Sequence, residues 1–352
     1  MDILMEYLTQ AVQLEASDRF LVPGAPVSIK QDGQLRPLGQ DKLMPGESEA
    51  RLRAIYTLAA REMDTFLRTG DDDFSFAVPK LARFRVNTYR QRGSLAAVIR
   101  VVAFQIPDYR QLRIPEGVME LAELSSGMVL VTGTAGSGKS TTQACLVDRI
   151  NRRRACHIVT LEDPIEFLHR NQRSIVSQRE IAVDTGDYLT ALRACLRQAP
   201  DVIQLGEMRD LETIRTAMTA AETGHLILAT LHTRGAVNTI DRIIDTFPAD
   251  QQDQIRIQLS AVLRTVVSQQ LVPDTEGGQT PVFEIMHTTG AVRSMIRDCK
   301  THQISSAIAA GSGEGMISMD QSLYAAYEAG RITKQTALDY AENPEQMQRR
   351  MA

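Results

Sequence analysis

The sequence contains no tryptophan, and aromatic residues make up only 5% of its 352 positions. So few stacking surfaces leave little with which to hold single-stranded nucleic acid, and a net charge of −4 supplies no basic field to attract its phosphates. A nucleic-acid motor is therefore the weakest of the readings. Cysteine is also scarce. Cys145, Cys156, Cys195 and Cys299 stand far apart without a CxxC pair, which argues against a zinc site or a disulfide framework. They are expected to be buried, inert thiols. No apolar run reaches the roughly 18 residues of a membrane-spanning helix. The opening residues Met1–Glu6 carry acids where a signal peptide would begin basic, so a cytoplasmic protein is expected.

What is present is ordinary for a globular chain, with 43% hydrophobic and 23% charged residues and length enough for two domains. Residues 1–105 read as a mixed α/β unit. Leu4, Leu8, Ala11, Val12 and Leu14 fit one face of a helix. Arg19–Val22 and Val27–Lys30 read as strands, with a tight turn at Asp32-Gly33. Residues 47–69 return to helical spacing. An acidic turn at Asp71–Asp73 precedes the strands Phe74–Val78, Phe84–Tyr89 and Ala96–Val102, with a bend at Gly93. Two prolines and little periodicity mark residues 106–115 as a linker. Beyond it strands and helices alternate, as in an α/β fold with a mostly parallel sheet. The strands expected there are Met128–Thr132, His157–Leu161, Val202–Leu205 and Leu226–Thr230, all short apolar runs. The core is placed at 116–287, followed by a helical region at 288–352.

The chemistry begins where Met128–Thr132 runs into Gly133-Thr134-Ala135-Gly136-Ser137-Gly138-Lys139-Ser140-Thr141-Thr142. The pattern GxxxxGK[ST] follows a strand and opens a helix, the context a phosphate-binding P-loop needs. Its glycines let backbone N–H groups turn toward phosphates, and the helix N-terminus adds its positive end. Lys139 is expected on the β- and γ-phosphates, and the Ser140 hydroxyl on Mg²⁺. ATP and Mg²⁺ are the cofactors implied.

Two acidic clusters end predicted strands: Glu162-Asp163-Pro164-Ile165-Glu166, and Glu207-Met208-Arg209-Asp210 in a Walker-B-like setting. One carboxylate can hold the Mg²⁺ shell while the other orients or deprotonates water. Asp163 and Asp210 read as helix caps, leaving Glu162 and Glu207 as the chemical pair. His225 and His232 bracket the run Leu226–Leu231 on opposite faces, a poor metal pair, but His232 ends a strand where it could sense the γ-phosphate. His157, His169, His287 and His302 read as structural, and Arg152–Arg154 as a solvated face. Gln204 is a polar residue inside an apolar strand with no evident partner.

Taken in order, these blocks resemble the PilT family of type IV pilus retraction ATPases, within the wider secretion-ATPase superfamily. The likeness runs through Ala16-Ser17-Asp18, Arg83-Phe84-Arg85-Val86-Asn87, the P-loop, Thr160–Glu166, Gln178-Arg179-Glu180, Val202–Thr213, Ala221–His225, Thr230–Thr233 and Asp241–Asp245. The resemblance implies an N-terminal PAS-like α+β domain, a RecA-like ATPase core, and a homo-hexameric ring with active sites where the two domains meet. It makes Glu162 the catalytic base, gives Glu207 to the Mg²⁺ shell, and assigns His232 and His225 to phosphate sensing and domain contact. Arg85 and Arg100 become arginine fingers, with Arg83 in support. An inner-membrane platform protein and the pilus assembly ATPase are the implied partners, at the cytoplasmic face of the membrane. Two departures stand out: Arg19-Phe20 replaces the family's leucine and histidine, and Ala291–Asp298 reads Ala-Val-Arg-Ser-Met-Ile-Arg-Asp, without the asparagine of the family's retraction-associated motif. An assembly or type II secretion ATPase is one alternative, although the scattered cysteines do not supply that group's zinc insert. A non-motor ATP-binding switch is another.

Overall fold

A computed structural model describes residues 2–14, 16–31, 34–78, 81–102 and 106–352, with side chains from Met5 onward. The turn expected at Asp32-Gly33 lies outside them. The chain divides into two compact units, Met1–Gln105 with Glu166–Leu168, and Ile106–Ile165 with His169–Ala352.

In the first unit the strands β1 (Asp18–Leu21), β2 (Pro26–Gln31), β3 (Gln34–Lys42), β4 (Asp71–Val78), β5 (Ala82–Gln91) and β6 (Ser94–Val102) form an antiparallel sheet in the order β3-β2-β1-β6-β5-β4. Helices α1 (Asp2–Gln13), α2 (Pro45–Leu58) and α3 (Asp64–Thr69) accompany it. Strand alternation sends Phe74, Phe76, Phe84 and Val86 inward to meet Leu8, Leu52, Ile55 and Phe66. The expected acidic turn is instead the start of β4. Asp71, Asp72 and Asp73 pair with Tyr89, Thr88 and Asn87 on an edge strand, where Asp71 and Asp73 face outward and Asp72 is held by Arg61 and the Tyr56 hydroxyl. The helical stretch 47–69 is split, because Ala60 turns left-handed at φ 50°. Arg19, where the family pattern has an apolar residue, is buried with its guanidinium over the Tyr7 ring and bonded to the Tyr7 carbonyl. Burial pulls its pKa down to about 10.

The second unit carries β7 (Gly127–Thr132), β8 (His157–Glu162), β9 (Ile175–Glu180), β10 (Val202–Leu205), β11 (Leu226–Leu231), β12 (Leu263–Pro273) and β13 (Gln279–His287). Their order is β13-β12-β7-β11-β10-β8-β9, parallel except for the edge hairpin β12–β13. Helices α4 (Glu116–Met119), α5 (Lys139–Arg153), α6 (Tyr188–Cys195), α7 (Leu211–Glu222), α8 (Ala236–Asp245) and α9 (Gln252–Val262) connect them. Then come α10 (Gly290–Arg297), α11 (Ile304–Ala310), α12 (Met319–Glu328), α13 (Lys334–Tyr340) and α14 (Pro344–Arg350). β7, β10 and β11 are buried throughout, which is why they read as unbroken apolar runs. Residues 106–115 are irregular, but Ile106, Tyr109, Leu112 and Ile114 pack onto this unit's core. The cysteines need correcting. Cys145 and Cys195 are buried, with thiols pushed up to about 12 and about 11, but Cys156 is half-buried and Cys299 exposed.

Candidate active site

β7, β11, β10 and β8 lie side by side and parallel, so whatever leaves their C-terminal ends shares one edge of the sheet. Thr132 leads there into the loop Gly133–Gly138, Leu231 into His232, and Leu205 into Gly206 and Glu207, while β8 ends in Glu162. Open α/β sheets hold ligands along this edge.

The loop has the shape a phosphate needs. Gly133, Gly136 and Gly138 have φ of 144°, 76° and 86°, and a Cβ at Gly133 would sit 2.3 Å from the Gln269 carbonyl oxygen. Lys139 Nζ donates to the carbonyls of Gly133 at 2.9 Å and Thr134 at 2.8 Å, so the ammonium lies inside the loop. The buried Ser137 hydroxyl has no hydrogen-bond partner among the described residues. Thr134, Ala135 and Gly136 form the exposed crest, and Ser140 and Thr141 open α5 half-buried. A glycine cradle, an unpaired buried hydroxyl, a lysine and a helix N-terminus together fit a phosphate. Ser140 and Glu207 supply the hydroxyl and carboxylate oxygens that Mg²⁺ prefers.

Both carboxylates are buried and held. Glu162 Oε1 accepts from Thr160 Oγ1 at 2.6 Å and from Gln178 Nε2 at 3.0 Å. Glu207 Oε1 pairs with Arg209 Nη2 at 2.6 Å, and its Oε2 lies 3.3 Å from His232 Nε2. The Tyr188 hydroxyl stands 2.6 Å from where a Cβ at Gly206 would be, so any side chain there would have to displace the Tyr188 ring. Burial first, and then the charges of Glu207, Asp163 and Glu162, hold the Tyr188 phenol well above its usual range, as a neutral donor.

Several expectations need correction. His225 is not brought to the site. It precedes β11, at the opposite end of the strand, where Nδ1 meets the Ala220 carbonyl at 2.9 Å. Seven steps of about 3.3 Å along the strand separate it from His232 by about 23 Å. Asp210 caps α7 as expected, accepting from Thr213 N, but no helix follows Asp163, whose chain runs on to β9. Arg154 is not merely solvated, since it donates to the carbonyls of Ala122 and Leu124.

The sequence reading missed Thr160, Tyr188, Arg209 and Gln269. Gln269 Oε1 accepts from Thr142 Oγ1 at 2.7 Å, tying β12 to the P-loop helix. Beside it opens a cavity of about 420 Å³, walled by Gln111–Ile114, by Gln269, Leu271 and Pro281 of the hairpin, and by Gly138, Thr141 and Thr142. Next to a phosphate loop, such a cavity suits a nucleobase. The one signal available beforehand was the polar triplet Ser268-Gln269-Gln270, set between the apolar pairs Val266-Val267 and Leu271-Val272.

In the first unit Arg85 and Arg100 stand directly opposite each other on β5 and β6, and Arg100 also faces Asp18 on β1. Arg85 Nη2 pairs with Asp73 at 2.7 Å and Arg100 Nε with Asp18 at 2.9 Å. Arg83 lies two residues before Arg85 on β5, and so on the same face.

Comparison with known proteins agrees with this geometry. A family model described as "Type II/IV secretion system protein" matches residues 1–327. The chain is 42% identical over 346 residues to "Type IV pilus retractation ATPase PilT" of Pseudomonas aeruginosa, covering 98% of this chain and 99% of that one. It is 37% identical to "Type IV pilus ATPase PilU" of the same organism, over 94% of this chain and 87% of the relative. A crystal structure of the pilus retraction motor PilT with bound ADP superposes with a TM-score of 0.90 at 42% identity, covering 99% of both chains. With similarity running from end to end and the P-loop, paired carboxylates and strand-end histidine in place, the chain belongs to the type II/IV secretion system protein family, in its PilT branch.

Proposed function

We propose that this chain is an ATP-hydrolysing motor that powers type IV pilus retraction. The observation that carries the reading is the row of P-loop, His232, Glu207 and Glu162 along one sheet edge, in a chain that matches a retraction ATPase over nearly its full length. Gly133–Thr142 binds the ATP phosphates, and Lys139 leaves the loop carbonyls for the β- and γ-oxygens. Ser140 and Glu207 would hold Mg²⁺, which when bound neutralises charge developing on those oxygens. Glu162, fixed by Thr160 and Gln178, takes the proton of the attacking water. His232 bridges Glu207 and the γ-phosphate position. Arg85 and Arg100 leave their aspartates and act as fingers on the transferred phosphoryl group, Arg83 supporting them.

In this reading 1–105 is the PAS-like domain, 106–115 the linker, 116–287 the RecA-like core and 288–352 the helical region. Homo-hexamers form, and closing and opening of the domains drives a platform protein at the cytoplasmic face of the inner membrane, opposed by the pilus assembly ATPase. No helix among the described residues is long and apolar enough to cross a membrane. In the altered motif Ala291–Asp298, Arg293 Nε donates to the Ser260 carbonyl, while Arg297 pairs on the surface with the neighbouring Asp298 at 3.3 Å, which leaves the first arginine structural and the second bound within its own helix end. The test is steady-state ATP turnover against protein concentration, with mass read by light scattering. Turnover per chain that rises as hexamers form supports the ring motor, and flat turnover from a monomer overturns it.

A further inference from the structure

Gln204 remains unused by this account. It sits in the middle of β10, buried at 4% exposure, where every neighbour on the strand is apolar. Alternation sends it to the same face as Val202, which packs with Leu146 and Val147 of α5. There Gln204 Nε2 donates to Gln143 Oε1 at 3.4 Å, and Gln143 Nε2 donates to the Leu205 carbonyl at 3.5 Å. Gln143 is 1% exposed and lies four residues after Lys139 on α5, one turn along the same helix face. Leu205 lies two residues before Glu207. On the other side of β10, Gln204 is in register with Thr160, whose hydroxyl holds Glu162. Gln204 Oε1 has no hydrogen-bond partner among the described residues.

A buried amide with an unmade bond is costly, and a leucine pair of similar volume would pack here without that cost. What two amides supply and two leucines do not is direction. Apolar contact lets α5 slide along β10, whereas hydrogen bonds fix its position along the strand. We propose that Gln143 and Gln204 are positioning residues, a buried amide clamp that sets the helix carrying Lys139 against the strands that present Glu207 and Glu162. Phosphate held on one side then fixes where both carboxylates stand on the other. A displacement of about 1 Å at such a site costs about 10²-fold in rate.

The inference rests on the hydrolytic reading above, and wild-type turnover separates the two. No wild-type hydrolysis sinks that reading, whereas wild-type hydrolysis with indifferent variants sinks only this inference. Gln204→Leu, Gln143→Leu and the double variant are compared for kcat, KM and Tm. The single variants, each leaving one amide unpaired, should lower both Tm and kcat. The double variant should recover Tm to near the wild-type value while kcat stays about 10- to 100-fold down and KM stays within about twofold. A double Gln143→Met/Gln204→Met variant is run in parallel, so that one folded double variant is always read. Recovery of kcat together with Tm in either double variant would make the pair mere packing and overturn the proposal, as would unchanged kcat in the singles.

Discussion

Glu162 and Glu207 in the ATPase core are charged, as are Arg85 and Arg100 in the first unit, but the two sets are held in opposite ways. The carboxylates are buried at strand ends and fixed, Glu162 by Thr160 and Gln178, Glu207 by Arg209 and His232. The arginines sit on a solvent-facing sheet surface, with side chains 35% and 63% exposed, each paired to one aspartate. Ion pairs open to solvent on both sides, as Arg85–Asp73 is, are worth about 0–1 kcal/mol, so exchanging that aspartate for a phosphate costs little. Arg100 would leave the buried Asp18 behind, at a higher cost. Moving a buried, hydrogen-bonded carboxylate costs far more. On the function proposed, the core would be the part preorganised for water activation, and the first unit the part whose charges change partners.

The largest effect should come from the movable set. Arg85→Ala or Arg100→Ala should reduce ATP turnover by about 10³-fold or more, with nucleotide affinity nearly kept, as measured by steady-state kinetics and equilibrium binding. If neither variant changes turnover, the first unit contributes nothing to the chemistry.

Next comes Glu284, which shows what burial does to a carboxylate. Burial, with the charges of Glu342 and Asp320 added, raises its pKa to about 7, although the N–H of Ala236 donates to it. Its folded pKa lies above the unfolded value, so its contribution to stability is complete below about pH 4.5 and is lost as pH rises through about 7. Glu284→Gln should therefore leave stability near wild type at pH 5 and raise it by up to about 3 kcal/mol at pH 8, as read by denaturant titration. An equal shift at both pH values would show that its titration is irrelevant.

Smaller still is the contrast between the two ends of β11. His232→Ala should lower turnover by about 10-fold through a displaced Glu207, whereas His225→Ala should leave turnover alone and lower only Tm. Equal losses would return His225 to the site. Smallest is Asp73→Ala, which removes the resting partner of Arg85 and should change stability by less than about 1 kcal/mol in thermal melts. A larger loss would show that Arg85 is locked rather than releasable.

The buried parallel strands were legible because a strand covered on both faces must be apolar throughout, as Val202–Leu205 and Leu226–Leu231 are. The P-loop was legible because its chemistry dictates residue types at fixed spacing. β9, β12 and β13 were not anticipated, since Ser177-Gln178-Arg179, Ser268-Gln269-Gln270 and Glu284 interrupt any apolar pattern. Those interruptions are where Gln178 steadies Glu162 and Gln269 holds the loop, so function erased the signal. His225 entered the site only through the family resemblance, and its place before β11 sets it at the strand's N-terminal end, away from the loop. Tyr188 was invisible because only the fold carries it beneath Gly206.

The claim at the centre is that Glu162, held between Thr160 and Gln178, activates the water that attacks ATP. Single-turnover hydrolysis by Glu162→Gln, with nucleotide affinity and assembly mass measured on the same sample, tests it most directly. The account predicts unchanged binding and mass with hydrolysis slowed by about 10²–10⁴-fold. Hydrolysis at the wild-type rate in that variant would contradict it and move the base to Glu207 or elsewhere.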